Sequence, residues 1–193
     1  MANLPVVVLI GDSIRMGYQA VVTRELEGIA EVWGPEQNGG NSANILGHLD
    51  EWILSKEAAV VHVNCGLHDL RKEFDTGKPA IDLEAYEANV REILERLKKE
   101  FAGKVVWVTT TPVNEEWHHA NKGFDRFEAD VDGYNKIASG IARELGIPID
   151  DLFSAITAGG KDQLLRDDGV HFTEAGSELL GKAVADCIRS MLA

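Results

Sequence analysis

Short apolar runs rich in β-branched residues alternate along this chain with amphipathic stretches. The apolar runs span residues 6–10, 29–33, 58–63, 104–109 and 147–152. Apolar residues recur at helical spacing in residues 23–27, 45–53, 83–101, 127–145 and 175–191. Strands that are apolar almost throughout and alternate with helices are typical of a parallel sheet covered on both faces. We therefore predict an α/β fold with a five-stranded parallel sheet in a three-layer α/β/α sandwich.

The whole chain, residues 1–193, is predicted to form a single domain. Its 193 residues, 45% of them hydrophobic, suffice for one full core, and no Pro/Gly/Ser-rich linker divides them. The formal net charge of -13, without any cluster of Lys or Arg, argues against nucleic acid and anionic membrane surfaces as partners, because both are bound chiefly through basic patches. Residues 1–5 carry no basic segment ahead of the first apolar run. We therefore expect neither a secretory signal nor a transmembrane span, and a cytoplasmic location.

Three residue types that together activate a hydroxyl group lie in loops of the kind in which parallel sheets carry their functional residues. Such sheets collect functional residues in the loops at the carboxyl ends of their strands. Ser13 follows the first predicted strand, and His171 precedes the last predicted helix with Asp168 three residues ahead of it. The Asp-x-x-His spacing lets a carboxylate reach the imidazole, fix its tautomer and stabilise the imidazolium that forms when the serine proton is taken.

Two simpler roles for Ser13 compete with the nucleophile. A serine directly after a strand commonly caps the next helix by accepting a hydrogen bond from an early amide. A glycine-containing loop at this place can also bind phosphate, but residues 11–17 lack both the Lys of a phosphate-binding loop and the spacing of a dinucleotide fingerprint. The segment alone leaves the cap and the nucleophile open.

Four segments taken together resemble the ordered sequence blocks of the GDSL or SGNH hydrolase superfamily. They read Gly11-Asp12-Ser13, Gly40-Asn41-Ser42, Gly66-Leu67-His68-Asp69 and Asp168-Gly169-Val170-His171. The resemblance runs from the first predicted strand to the last predicted helix. It implies a flavodoxin-like fold and ester hydrolysis through an acyl-enzyme, without metal or organic cofactor.

The resemblance also assigns roles. Ser13 looks like the nucleophile, His171 like the general base and later the acid, and Asp168 like the group that orients it. The backbone N–H groups of Ser13 and Gly40 look like donors of the oxyanion hole. The third block departs from the family, because His68 stands where the family has the Asn whose amide is a further donor. An imidazole N–H makes the same kind of hydrogen bond, but unlike an amide it titrates.

Substrate contacts are predicted for Arg15, Trp117 and His118. Arg15 follows the serine turn, where a guanidinium can hold a carboxylate or a sugar hydroxyl, although a solvated arginine at a helix start is the simpler interpretation. Trp117 and His118 lie in the longest stretch expected to lack regular structure, after the fourth strand, where an aromatic ring can stack on a sugar. The adjacent pair His118-His119 is a weak metal motif, because neighbouring residues rarely aim at one ion, and no metal is expected.

The remaining polar residues near these loops have structural interpretations. Asp12 and Asp69 are expected to accept hydrogen bonds from loop amides. His62 and Asn64 alternate along the third strand and so share a face, where buried polar groups usually satisfy each other or a neighbouring backbone group.

We interpret the chain as a serine esterase that cleaves a short-chain acyl ester, acetyl foremost, of a small polar or carbohydrate alcohol. An acyltransferase would use the same site and pass the acyl group to a sugar hydroxyl. A different class is a weakly catalytic module that binds a glycan or acylated ligand, which His68 and Trp117 favour and the set Ser13, Asp168 and His171 opposes. A flavin or receiver domain shares only the architecture, and fold alone does not establish function.

Overall fold

A parallel sheet lies at the centre of the computed structural model, which describes residues 4–193. Its strands are β1 (Val6–Ile10), β2 (Glu31–Trp33), β3 (Val60–Val63), β4 (Lys104–Val108) and β5 (Ile149–Asp150). They lie in the order β2-β1-β3-β4-β5, and all neighbouring pairs are parallel. The prediction of a five-stranded parallel sheet is confirmed. Residues 1–3, part of the segment in which no secretory signal is expected, lie outside the described residues.

Helices cover both faces of this sheet. They are α1 (Ser13–Glu25), α2 (Ser42–Gly47), α3 (Leu83–Glu100), α4 (Glu115–Asn121), α5 (Glu128–Glu144), α6 (Leu152–Ala158), α7 (Lys161–Leu164) and α8 (Glu174–Leu192). α1 and α6 pack against α8, whereas α2 and α5 pack against α3. Because every residue of β3 is buried, neither face of the sheet is open to water.

Polar caps fix where most of these helices begin. In six of them the residue before the first turn accepts a hydrogen bond from an amide of that turn through its side chain. These residues are Asp12, Asn41, Asp82, Asn114, Asp151 and Thr173. A side-chain oxygen in this position satisfies one of the amides that have no partner inside the helix. The caps at Asp12, Asn41 and Asn114 start helices directly beside the loops that follow β1, β2 and β4.

The polar residues of β3 are paired as the alternation predicts, but with neighbours and not with each other. His62 is fully buried, and its Nε2 lies 2.8 Å from Asp150 Oδ2 at the end of β5. The Asn64 amide donates to the carbonyl oxygen of Val108 at 2.8 Å. The His62 side chain therefore reaches past β4 to β5, and the Asn64 side chain, directly after β3, joins the end of that strand to the adjacent β4.

Several predicted boundaries are wrong because a cap or a break intervenes. The first helix begins at Ser13, ten residues before the predicted stretch 23–27, because Asp12 caps it. The stretch 147–152 contains only a two-residue strand, since Asp151 caps α6 and Leu152 is helical. The stretch 45–53 is not one helix, because α2 ends at Gly47 and a π-helical turn follows at Asp50–Leu54.

The stretch after β4, expected to lack regular structure, contains α4. Asn114 caps it, and acidic Glu115 and Glu116 occupy its first turn, where negative charge interacts favourably with the helix dipole. Shortly after it, Phe124–Asp125 pairs with Lys72–Glu73 in a small antiparallel sheet. This small sheet, which the sequence analysis does not predict, joins the loop after β3 to the segment that follows β4.

Candidate active site

Ser13 is the first residue of α1 and leaves the capping of that helix to Asp12. The Asp12 carboxylate accepts a hydrogen bond from the amide of Ile14 at 2.8 Å. The Ser13 hydroxyl is therefore not used as the cap, and its Oγ lies 2.9 Å from His171 Nε2. Of the two interpretations left open for Ser13, this arrangement agrees with the nucleophile.

His171 and Asp168 meet within one tight loop. His171 Nδ1 lies 2.6 Å from Asp168 Oδ2. The other carboxylate oxygen accepts hydrogen bonds from the amides of Val170 at 3.1 Å and His171 at 2.9 Å. The turn between them passes through Gly169 at a φ of +70°, a left-handed conformation that glycine adopts without strain. The loop thus brings carboxylate, imidazole and Ser13 into one hydrogen-bonded chain.

Hydrogen bonding determines the charge of Asp168 and the tautomer of His171. Burial alone raises the pKa of Asp168, but hydrogen bonds from the His171 ring, the amides of His171 and Val170, and Lys122 outweigh it and hold the pKa well below its usual value. An ionised carboxylate only accepts, so His171 Nδ1 carries the proton and Nε2 presents its lone pair to the Ser13 hydroxyl. This is the tautomer that a general base requires.

Helix α4 holds the loop that carries Asp168 and His171. The amide of Asn114 donates to the carbonyl oxygen of Gly169 at 2.9 Å, and the Asn121 side chain donates to the carbonyl oxygen of Asp167 at 2.9 Å. Lys122, directly after α4, places its Nζ 3.1 Å from Asp168 Oδ2. Sequence reasoning missed all three residues, because nothing in their local pattern indicates that this stretch folds against the Asp168 loop.

The second block lies against the Ser13 turn. The amide of Gly39 donates to the carbonyl oxygen of Gly11 at 3.0 Å, and a Cβ at Gly39 would come within 2.5 Å of that oxygen. Gly40 has a φ of +63°, and its amide donates to the exposed Asn38 side chain at 2.9 Å. The Gly40 N–H is therefore close to the Ser13 loop but occupied by a side chain that solvent reaches.

His68 stands beside Asp12, in surroundings that favour the neutral imidazole. Its Nε2 lies 3.9 Å from Asp12 Oδ2, too far for a hydrogen bond, and the side chain is 30% exposed. Burial lowers the pKa of His68, the positive charges of Arg126 and Arg71 lower it further, and Asp12 opposes the shift. A neutral imidazole keeps one N–H for donation and does not repel a protonated His171.

Asp69 joins the second and third blocks, as a carboxylate that bonds loop amides. It accepts from the amide of Ser42 at 2.9 Å and from the Ser42 hydroxyl at 2.5 Å, and Asn89 donates to that hydroxyl at 2.9 Å. Burial raises the pKa of Asp69 to about 6, although the hydrogen bonds from Ser42 oppose this. The network anchors the start of α2, just after Gly40.

Of the three predicted substrate-contact residues, two are buried in contacts within the protein. The Arg15 guanidinium is buried and donates to the carbonyl oxygens of Pro35 at 2.8 Å and Gln37 at 3.1 Å, just ahead of the second block. His118 is fully buried in α4, and its Nε2 lies 3.0 Å from a nitrogen of Arg126. Trp117 is half-buried against the core. Arg15 and His118 are thus committed to contacts within the protein, which leaves neither free to bind substrate.

Within residues 4–193, no three His, Cys, Asp or Glu side chains are grouped so that they would hold a metal ion. Among the helices of the same residues, none is both long and apolar enough to cross a membrane.

Comparison with known families identifies the chain. The sequence model of the GDSL-like lipase/acylhydrolase family matches residues 9–179, which include every block named above. The chain belongs to this family. It is therefore an esterase of the GDSL type, and members typically use a serine.

Solved structures agree with this family fold. A lipase/acylhydrolase from Enterococcus faecalis superimposes with a TM-score of 0.81 at 22% identity, over 97% of this chain and 96% of that one. An acetylxylan esterase from Geobacillus stearothermophilus gives a TM-score of 0.75 at 19% identity, over 96% and 94%. The acetyl xylan esterase AlAXEase gives a TM-score of 0.75 at 21% identity, over 95% and 99%. No curated protein matches the sequence.

Proposed function

We propose that this family member hydrolyses short-chain acyl esters, acetyl esters foremost, of a small polar or carbohydrate alcohol through an acyl-enzyme on Ser13. The observation that carries the proposal is the continuous chain from Ser13 Oγ to His171 Nε2 at 2.9 Å and from His171 Nδ1 to Asp168 Oδ2 at 2.6 Å. The His171 side chain is 35% exposed, so an ester can reach the reactive pair from solvent.

Acylation begins when Ser13 Oγ attacks the ester carbonyl carbon and His171 Nε2 takes the hydroxyl proton. Asp168 stabilises the imidazolium that forms. When the tetrahedral intermediate collapses, the bond to the alcohol oxygen breaks, and His171 returns the proton to the departing alcohol. Water then attacks the Ser13 ester with the same histidine as base, which releases the acid and restores the serine.

The developing oxyanion needs donors that are already in place. The amide of Ser13 belongs to the first turn of α1, where no carbonyl within the helix is available to it. We assign the second donor to Gly40, whose amide exchanges the exposed Asn38 side chain for the oxyanion. We assign the third to His68 as a neutral N–H donor. Together these would stabilise the transition state more than the ground state.

The short acyl group and polar alcohol are proposed from the similarity to two acetyl xylan esterases and from the exposure of the catalytic pair. A panel of esters with increasing acyl length, including acetylated xylo-oligosaccharides, tests this on the wild type, on Ser13→Ala and on the control Ser190→Ala, which removes an exposed hydroxyl in α8. We expect the highest kcat/KM for acetyl esters, a loss of several orders of magnitude in Ser13→Ala and no loss in the control. Highest activity on long-chain esters would refute the substrate class. Analysis of the products with an added sugar acceptor distinguishes hydrolysis from acyl transfer.

A further inference from the structure

Lys122 contacts the carboxylate that orients the catalytic histidine. Its Nζ lies 3.1 Å from Asp168 Oδ2, the same oxygen that lies 2.6 Å from His171 Nδ1. The two side chains of this pair are 30% and 22% exposed. Solvent therefore screens their interaction less than that of a fully exposed ion pair.

The backbone around Lys122 is held in place, so this contact does not depend only on a long, freely rotating surface side chain. The Lys122 amide donates to the carbonyl oxygen of His118 at 2.9 Å and closes the last turn of α4. The adjacent Asn121 donates to the carbonyl oxygen of Asp167 at 2.9 Å. Lys122 is thus fixed next to the loop that carries Asp168.

The proposed reaction makes this contact consequential, because His171 alternates between neutral and protonated forms. The Lys122 ammonium next to Asp168 Oδ2 weakens the attraction between this carboxylate and the imidazolium form of His171. It also repels the imidazolium directly. Both effects favour the neutral form of His171, which is the one that accepts the Ser13 proton.

We propose that Lys122 is a positioning residue of the active site: by sharing Asp168 Oδ2 with His171 it orients the carboxylate and extends to lower pH the range in which His171 is neutral and able to act as base. The inference rests on the proposed function for its kinetic consequence. The family blocks place Asp168 and His171 but say nothing about a partner from α4.

Other titratable groups face the same pair and are present in every protein compared below. From the described elements around it, they are His68 and Asp12 on the Ser13 side, and His118 and Arg126 on the α4 side. Burial and the positive charges of Arg126 and Lys122 lower the pKa of His118 to about 4, so it is neutral in the pH range of interest. Loss of the Lys122 charge also removes one of the causes that lower the pKa of His118, so the ring signals of His171 itself are needed to separate the two histidines.

The test measures kcat/KM against pH for the wild type, Lys122→Met and Lys122→Arg with one short-chain ester. Methionine keeps much of the side-chain length without charge, and arginine keeps the charge. Without the Lys122 ammonium the imidazolium form of His171 is more stable. The acidic side of the kcat/KM profile of Lys122→Met should therefore move to higher pH by about 0.5 units, the scale expected for a partly exposed ion pair. Lys122→Arg should follow the wild type. Lys182→Met, which breaks an exposed pair with Glu178 and changes the net charge equally, should also follow the wild type.

A second readout does not depend on turnover. The ring carbon signals of His171, assigned by their loss in His171→Ala, should titrate in Lys122→Met with a midpoint displaced upward by the same amount. Superimposable profiles and titrations of Lys122→Met and wild type would overturn the proposal. So would a uniformly lower kcat at every pH with an unchanged midpoint, because that result makes Lys122 only structural. If instead Ser13→Ala keeps its turnover, the proposed function fails, while the titration still reports on Lys122.

Discussion

Asp69 and Asp168, which lie in two of the four sequence blocks, have pKa values shifted in opposite directions. Asp168 accepts hydrogen bonds from the His171 ring, two amides and Lys122, and these lower its pKa despite partial burial. Asp69 is fully buried with only Ser42 as a donor from another loop, and burial raises its pKa to about 6. Asp168 is less buried than Asp69 and has more donors, one of them charged, and both differences favour its ionised form.

The raised pKa of Asp69 predicts a specific dependence of stability on pH. Between the ordinary aspartate pKa of 3.8 and about 6, the folded protein binds a proton that the unfolded chain has lost, so the free energy of unfolding falls as pH rises through this window. The full effect is on the order of 3 kcal/mol. Denaturant unfolding from pH 3.5 to 7 should show this loss in the wild type and in the exposed control Asp132→Asn, but not in Asp69→Asn. Parallel curves for wild type and Asp69→Asn would contradict it.

His68 is predicted to contribute through a neutral N–H. His68→Ala should lower kcat by about 10²–10³ with a smaller change in KM, because an oxyanion donor acts mainly in the transition state. His68→Asn should keep most of the activity. Since the pKa of His68 is lowered, wild-type kcat should not fall as pH rises through 6.5. The measurement is kcat against pH for these proteins, with the exposed His119→Ala as control. Equal kcat in wild type and His68→Ala would remove His68 from the oxyanion hole.

At the scale of elements, α4 and the Asp168 loop pack backbone against backbone. A Cβ at Gly169 would lie 2.4 Å from the carbonyl oxygen of Asn114 and 2.7 Å from the amide nitrogen of His118. Gly169 therefore satisfies two requirements, a φ of +70° and the close approach of the helix start. The loop that carries His171 is thus packed against a helix that contributes no residue to the hydrogen-bonded set of Ser13, His171 and Asp168.

Gly169→Ala tests this dependence against a matched glycine. Gly146 has a φ of +68° with nothing within 4 Å of its Cβ position, so Gly146→Ala introduces the backbone strain without the collision. Strain alone costs about 1 kcal/mol. We expect Gly146→Ala to lower Tm slightly and leave kcat unchanged, and Gly169→Ala to lower Tm further and kcat by at least tenfold. Similar kcat values in both variants would show that the docking of α4 does not position the histidine.

How far the sequence predicts these elements depends on where their stabilisation comes from. The strands and α3 bury continuous apolar runs or a regular stripe, which the sequence displays directly. The seven residues of α4 bury chiefly His118, and the helix is held through its cap Asn114 and through Asn121 by the carbonyl oxygens of Gly169 and Asp167, which are distant in sequence. The serine, histidine and aspartate are predictable because their order and spacing reflect the chemistry, whereas Lys122 reaches Asp168 only through α4. Arg15 and His118 are predicted to contact substrate because the sequence alone does not show whether an isolated polar residue is buried.

At the scale of the whole molecule, the net charge of -13 acts on charged substrates before any contact forms. An ester that carries a free carboxylate should have a lower kcat/KM than its neutral analogue at low ionic strength. The difference should shrink as salt shortens the Debye length from about 30 Å at 0.01 M to about 8 Å at 0.15 M. Measuring both esters over this range checks the prediction. A salt-independent ratio would mean that the charge is distributed away from the cleft.

In the proposed reaction, Ser13, activated by His171, forms a covalent bond with the substrate acyl group. Peptide mass spectrometry after incubation with a fluorophosphonate tests it most directly, because such a probe reacts with a serine in proportion to its activation. We predict one adduct per chain on Ser13 in the wild type, strongly slowed labelling in His171→Ala and none in Ser13→Ala. Labelling of another serine at the wild-type rate, or equal labelling of wild type and His171→Ala, would contradict the account.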